Sequence, residues 1–491
     1  MKLIAKTFYV LVSMSIAALS LYAQGAGATK AEDSKLDEIL ARLTTIERRL
    51  STLEGQQPNA ALEVPPPTEL PSVRDIAARL EAIDQEVRIV DRKRELDEEA
   101  VATRFNTAPG VDAGTEGFSF RSPDRSFLLK IGGYFQADSR FFAGPGQSEP
   151  STFILRRVRP VFTGTFYKNI EFRLMPDWGQ GQSVLQDLHL DFRYFPKASI
   201  RFGKFKAPFS LERLQSATDL TFIERAFPTN LAPNRDTGVM VYGDFGTGTF
   251  TYALAAMNGV PDGGSSDLDT NDGKDFVGRV FFQPFVRKGV TNRGSGLGIG
   301  IAASHGRQNG TTLPIYRTTP QSAFFNFVTG TLADGDRKRL GPQGHYYLGR
   351  FGLFAEYTVS EQDVRRGLTA ATLRNDGWQV ATSFFLTGER KGYRSPAPLK
   401  AFDRATHGKG ALEVSGRYTE LTIDPAAFQL GFADITKSAR KAQEWTGGLS
   451  WYVARGNKFV LDYTQTHFTG GSTTGNRTSE KALITRFQVA F

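Results

Sequence analysis

The chain contains no cysteine at all, so disulfides and thiol nucleophiles are excluded from the outset. Histidine is scarce: His189, His305, His345, His407 and His467 stand far apart, without the spacing of a metal site. No HExxH or GxSxG pattern occurs, and Ser304 and His305 are adjacent, which turns them to opposite faces of any strand. The expectation is no enzyme and no cofactor. Past the N-terminus there is no run of about 20 apolar residues, which argues against a bundle of membrane helices. Helix-turn-helix, zinc-finger and RNA-binding signatures are missing as well, and no nucleic-acid partner is expected.

Glycine (50), phenylalanine (39) and tyrosine (15) are abundant instead, a composition of turns and aromatic strands. Lys2 and Lys6 precede an apolar stretch from Thr7 to Tyr22 that ends in small residues, the pattern of a signal peptide over 1–23, with cleavage as late as 28 also consistent. Charge is unevenly shared. The total is +9, residues 24–115 carry 12 basic and 18 acidic side chains, and the remainder after 115 is net +13. In an exported protein, such a basic excess suits small anions.

Two heptad seams follow the leader. Leu36, Ile39, Leu43, Ile46, Leu50 and Leu53 form the first; Val73, Ile76, Leu80, Ile83, Val87 and Val90 form the second. Alternating steps of three and four are those of a coiled coil, and a stretch with five prolines (56–71) separates the two. Residues 24–115 are thus expected to be a helical periplasmic region, either a coiled coil between chains or two helices packed within one. A role as a tether touching the cell wall is the alternative function, although this region is net acidic.

From about Gly117 the period changes to two. Leu188, Leu190, Phe192 and Tyr194 alternate with Asp187, His189, Asp191 and Arg193, and Ile170, Phe172 and Leu174 alternate with Glu171 and Arg173. Such runs continue to the last residue, Phe491, for some 370 residues without a helical domain between them. Short connections (167–169, 195–197, 245–248) and long polar ones (261–274, 308–341, 391–409) separate them, as in a barrel with one rim in the periplasm and one outside. The fold class expected is all-β: a transmembrane antiparallel β-barrel of about 16 strands over 116–491, preceded by the α-helical coiled coil. The strand ending in Phe491 resembles the signal read by the outer-membrane barrel assembly machinery, and the bacterial outer membrane, with its lipids, is the expected address.

Within the barrel region four pieces stand out: Leu155-Arg156-Arg157-Val158-Arg159, then Arg201 through Glu212, then Phe222-Ile223-Glu224-Arg225, and Pro233 through Gly238. Together they resemble the phosphate-selective porin O and P family. The resemblance implies a homotrimer of 16-stranded barrels, each narrowed by an inward third loop, here 206–236. It further implies that Arg156 and Arg157 match the family's arginine pair and that Arg213 and Arg225 are the loop cations. Asp187 matches an acid that some members keep beside the anion site. Arg213 stands where phosphate-selective members carry lysine, and Arg159 where some carry tyrosine; these departures favour general anion preference over strict phosphate selectivity. Pleating alone puts Arg157 and Arg159 on one face, and Arg156 joins them only through a bulge. The same arginines could instead be neutralised by lumen acids such as Glu171, Asp187 or Asp191.

Two further motifs resolve more plainly. Asp267–Gly273 is similar to a calcium-loop opening with its glycine one place late, and reads as a solvated loop. Gly294–Gly300 looks like a dinucleotide fingerprint but alternates with Leu297, Ile299 and Ile301, so it reads as a strand with small residues on one face.

Overall fold

A computed structural model describes residues 38, 41, 44, 45, 73–115, 117–144, 149–195, 197–246, 248–269, 271–286 and 294–491. The leader, the proline-rich stretch and all six residues of the first heptad seam lie outside these residues. The second seam falls on one helix, α1 (Val73–Thr107). Leu80 and Val87, seven residues apart on it, are buried. Its exposed surface carries Arg88–Asp84, Arg92–Glu95 and Arg94–Glu98 pairs one turn apart.

The second unit, Pro109–Phe491, is a closed antiparallel barrel. Its 16 wall strands are β1 (Leu128–Ala143), β2 (Thr152–Phe166), β3 (Ile170–Asp177), β4 (Val184–Phe192), β5 (Ser199–Lys206), β6 (Arg235–Phe245), β7 (Phe250–Met257) and β8 (Asp275–Phe282). They continue as β9 (Leu297–Thr312), β10 (Leu332–Leu348), β11 (Phe351–Arg366), β12 (Thr369–Phe385), β13 (Ala411–Thr422), β14 (Ala439–Ala454), β15 (Asn457–Ser472) and β16 (Glu480–Ala490). Each pairs with its neighbour, and β16 closes on β1. A hairpin over Gly110–Gly114 and Gly117–Arg121 joins the first residues of β1.

The alternation is inside out relative to a soluble protein. On β4, Leu188 and Leu190 are 48% and 40% exposed, while Asp187, His189 and Asp191 between them are at most 7% exposed. Apolar side chains face outward to lipid and polar ones face a bore that the chain itself largely fills. Aromatic contacts on the outer surface form two groups: Trp378, Tyr418 and Trp445 part-way along their strands, and Trp451, Phe459 and Phe487 near one set of strand ends.

Three connections fold into the bore. The first, 207–234, lies between β5 and β6, within a residue or two of the expected bounds. Its Phe209, Leu211, Leu220, Phe222, Ile223 and Phe227 are all buried. The second, 313–331, buries Tyr316, Phe324 and Phe325 against Phe227 and Leu231 of the first. The third, 386–410, corrects an expectation. It is long, yet strand parity puts it on the rim of the short turns, opposite the long loops. The long-loop rim in turn has one connection of two residues, Gly367 and Leu368.

Candidate functional site

The site is built by the loop 207–234 crossing the bore. Pro208 and Pro228 prevent a continuous strand, and Ser210 starts a single helical turn (Leu211–Leu214) by accepting from the Arg213 amide. The loop is then fixed to the far wall through its own backbone. Glu356 of β11 accepts from the amides of Leu211 (3.0 Å) and Glu212 (3.3 Å), Asp462 of β15 accepts from Ile223 (2.7 Å), and the Thr419 hydroxyl of β13 accepts from Phe227 (3.2 Å). A carboxylate that receives two consecutive backbone amides, one on each oxygen, ties the loop at two points.

Next to these anchors, on β16, β1 and β2, the loop is held by charge. Glu224 receives Arg156 at 2.5 Å, Arg486 at 3.3 Å, and Arg140 and Arg157 at 3.5 Å. Burial pushes the Glu224 carboxyl up, but Arg156, Arg157, Arg486 and Arg140 outweigh it and hold the group well below the usual carboxylate range. Arg486 also forms a two-point pair with Asp138, 2.7 Å on each side. Four guanidinium groups therefore share two carboxylates. Arg156 reaches this cluster through a bulge: Gln136 pairs with Arg157 and Ala137 with Leu155, leaving Arg156 as the extra residue. Gly179, in the connection between β3 and β4, backs the bulge so closely that a Cβ there would lie 2.7 Å from the Arg156 carbonyl.

Arg159 is committed elsewhere. Its Nε and Nη2 meet Asp177 at 2.7 Å and its Nη1 donates to the Tyr134 hydroxyl at 2.8 Å. Asp187 is matched twice, by Arg235 at 2.8 Å and Arg173 at 3.1 Å.

The loop cations have a different environment. Arg213 donates to the Thr229 carbonyl (Nη2, 2.6 Å) and the Gly263 carbonyl (3.4 Å). Arg225 donates to the carbonyls of Glu212 (3.0 Å) and Gln215 (2.8 Å). Lys206, at the end of β5, donates to the carbonyls of Leu214 (3.2 Å) and Gln215 (2.8 Å). Among the described residues no carboxylate lies within ion-pair distance of these three, and Arg213 and Arg225 each keep one Nη without a hydrogen-bond partner. A carbonyl dipole satisfies an N–H without cancelling the charge. Unneutralised guanidinium donors of this kind suit an oxyanion, which can accept paired hydrogen bonds and balance the charge.

The structure thus divides the six residues singled out from sequence. Arg156 and Arg157 converge on Glu224, Arg159 on Asp177, and Asp187 on Arg173 and Arg235, while Arg213 and Arg225 keep spare donors. None of the arginines is neutralised by Glu171 or Asp191, which pair with Arg193 and with Arg201 instead. Lys206, Arg140, Arg486 and the clasp formed by Glu224 were missed. The inward parity of Arg140 and Arg486 was legible, but their convergence on one loop carboxylate depends on strands 346 residues apart in the chain. The calcium-like segment is occupied by ion pairs, Lys204–Asp267 and Lys274–Asp269, and no metal-binding group of three acidic or histidine ligands occurs among the described residues.

Residues 129–491 match the model of the family described as phosphate-selective porin O and P. Among solved structures, the outer membrane channel DcaP of Acinetobacter baumannii is similar at TM-score 0.51 and 10% identity, covering 77% of this chain and 100% of that one. The anion-selective porin from Comamonas acidovorans follows at TM-score 0.48 and 12% identity, with 74% and 100% covered. OmpT of Vibrio cholerae stands at TM-score 0.47 and 11% identity, with 74% and 98% covered. No curated protein matches the chain in sequence.

Proposed function

The chain belongs to the phosphate-selective porin O and P family, and from that premise we propose that it conducts small anions passively across the bacterial outer membrane, with oxyanions such as phosphate preferred. The observation that carries this reading is the group of Lys206, Arg213 and Arg225, held where the loop crosses the bore by carbonyl oxygens and unmatched by any described carboxylate. Several moderate cation sites in sequence favour entry without trapping, as conduction requires. Guanidinium groups add planar, paired donors that suit an oxyanion.

In this reading Arg156 and Arg157, with Arg140 and Arg486, supply a partly compensated positive field at the loop's other edge. Arg159 and Asp187 keep the wall in register around it. The short-turn rim faces the periplasm, the barrel is inserted by the assembly machinery that reads the strand ending in Phe491, three copies associate, and the heptad region is periplasmic.

The test is single-channel recording in planar lipid films. Wild-type protein should pass chloride over potassium, and added phosphate should reduce the chloride current. Arg213→Ala and Arg225→Ala should each weaken the phosphate block by about tenfold, the usual worth of one charge-assisted contact. A channel that prefers potassium would refute the proposal.

A further inference from the structure

Two of the glycines in the 294–300 stretch have a task that strand pairing alone does not explain. Gly298 and Gly300 of β9 face the bore. A Cβ at Gly298 would lie 2.7 Å from the His345 ring, and one at Gly300 would lie 2.4 Å from Phe281. The wall is bare there so that rings can lie against it.

Those rings form a continuous group. Phe281 and His345 have centroids 5.4 Å apart, His345 and Tyr347 stack at 4.5 Å with planes 22° apart, and His345 and Tyr393 stack at 6.0 Å with planes 29° apart. Tyr393 comes from the connection 386–410, and its hydroxyl donates to the Leu211 carbonyl of the crossing loop. The group therefore lies between that loop and the short-turn rim.

Arg279 belongs to it. Its guanidinium carbon sits 4.7 Å from the Phe281 ring centroid, and its Nε donates to Gln343 at 3.0 Å. No described carboxylate is within ion-pair distance, and neither Nη has a hydrogen-bond partner among the described residues. Neither Nη is sealed from the bore. Tyr393, which bonds the crossing loop at Leu211, links this group to the loop that carries Arg225.

We propose that Arg279 and the rings of His345, Tyr347 and Tyr393 form a second subsite, selective for aromatic carboxylates. Arg279 receives the carboxylate on its free Nη pair, and the flat group lies against the tyrosines that flank the His345 ring. A purely inorganic anion path has no use for a stack of rings in a polar bore, whereas an aromatic acid uses both halves of the arrangement. This rests on the porin reading and names a solute class for it.

The experiment compares two blockers of equal charge and similar size, benzoate and cyclohexanecarboxylate, added to single wild-type channels carrying chloride. Benzoate should half-block at a concentration roughly three- to tenfold lower, the increment expected from ring stacking. Tyr347→Leu should remove most of that difference with chloride selectivity unchanged. Arg279→Gln should weaken block by both acids about tenfold, and Arg279→Lys, which keeps charge but loses the paired donors, serves if the glutamine variant does not insert. Equal block by the two acids in the wild type, or benzoate block unaltered at Arg279→Gln and Arg279→Lys, overturns this subsite alone. A protein that opens no anion-selective pore overturns the porin reading together with it.

Discussion

Replacing Glu224 by Gln removes one negative charge from a cluster in which four arginines share two carboxylates. Because those arginines hold the Glu224 carboxyl ionised well below its ordinary range, the substitution deletes a full unit charge at neutral pH. Gln keeps the shape and one acceptor for the Arg156 Nε, which Glu224 now receives at 2.5 Å. An anion passing about 8 Å away would then be favoured by roughly 0.5–2 kcal/mol, for an effective dielectric between about 80 and about 20. That corresponds to a rise of roughly two- to thirty-fold in local anion occupancy. Reversal potentials in a potassium chloride gradient give the assay, and the chloride-to-potassium ratio should rise. A carboxyl with a depressed value keeps its charge as pH falls, so the difference between the two proteins should persist undiminished at about pH 4.5. A ratio that stays constant or moves towards potassium would show that the cluster lies outside the ion path. The cost falls on the loop: removing one partner from a buried ion cluster typically destabilises by about 3–5 kcal/mol, and cleavage within 207–234 by an added protease reports it.

Glu356→Gln leaves one of the two amides at Leu211 and Glu212 facing an amide NH2, a local penalty of about 1–3 kcal/mol; current noise and mean conductance should both increase, and an unchanged trace would remove Glu356 from loop positioning. Leu254→Arg places a charge on the lipid-facing side of β7, where Leu254 is 61% exposed, and should lower barrel stability by about 2–4 kcal/mol in a denaturant titration in vesicles. Gly298→Val forces the His345 ring from its seat at an overpacking cost of about 1–3 kcal/mol, read as a lower thermal transition with the anion preference intact.

Much of this was legible in the sequence because a barrel wall writes itself locally. Asp187, Leu188, His189 and Leu190 declare two faces in four residues, and the prolines with Phe209, Ile223 and Phe227 mark an inward loop. What sequence cannot express is which inward charges meet. Arg156 stands on the wrong face by parity, and only an extra residue in β2, backed by the bare backbone of Gly179, brings it to Glu224. Arg159 has the same charge and the right face, yet Asp177 takes it up. The connection 386–410 was misplaced for a related reason: its length and polarity suggest an outer loop, and only counting strands assigns its rim. Gly298 and Gly300 were recognised as a strand face of small residues, but the rings they accommodate come from β8 and β10.

The seam between β1 and β16 joins parts of the chain that are made farthest apart. Gln136 contacts Gln488, 352 positions away, and Gly133 exchanges both backbone hydrogen bonds with Phe491 at 2.9 and 3.0 Å. Until those last residues arrive, β1 offers an open edge in which half of every ladder bond has no partner and no water within the bilayer to replace it. Loss of β16 would therefore leave a curled sheet instead of a tube, with the other ladders still available and nothing to hold the gap shut.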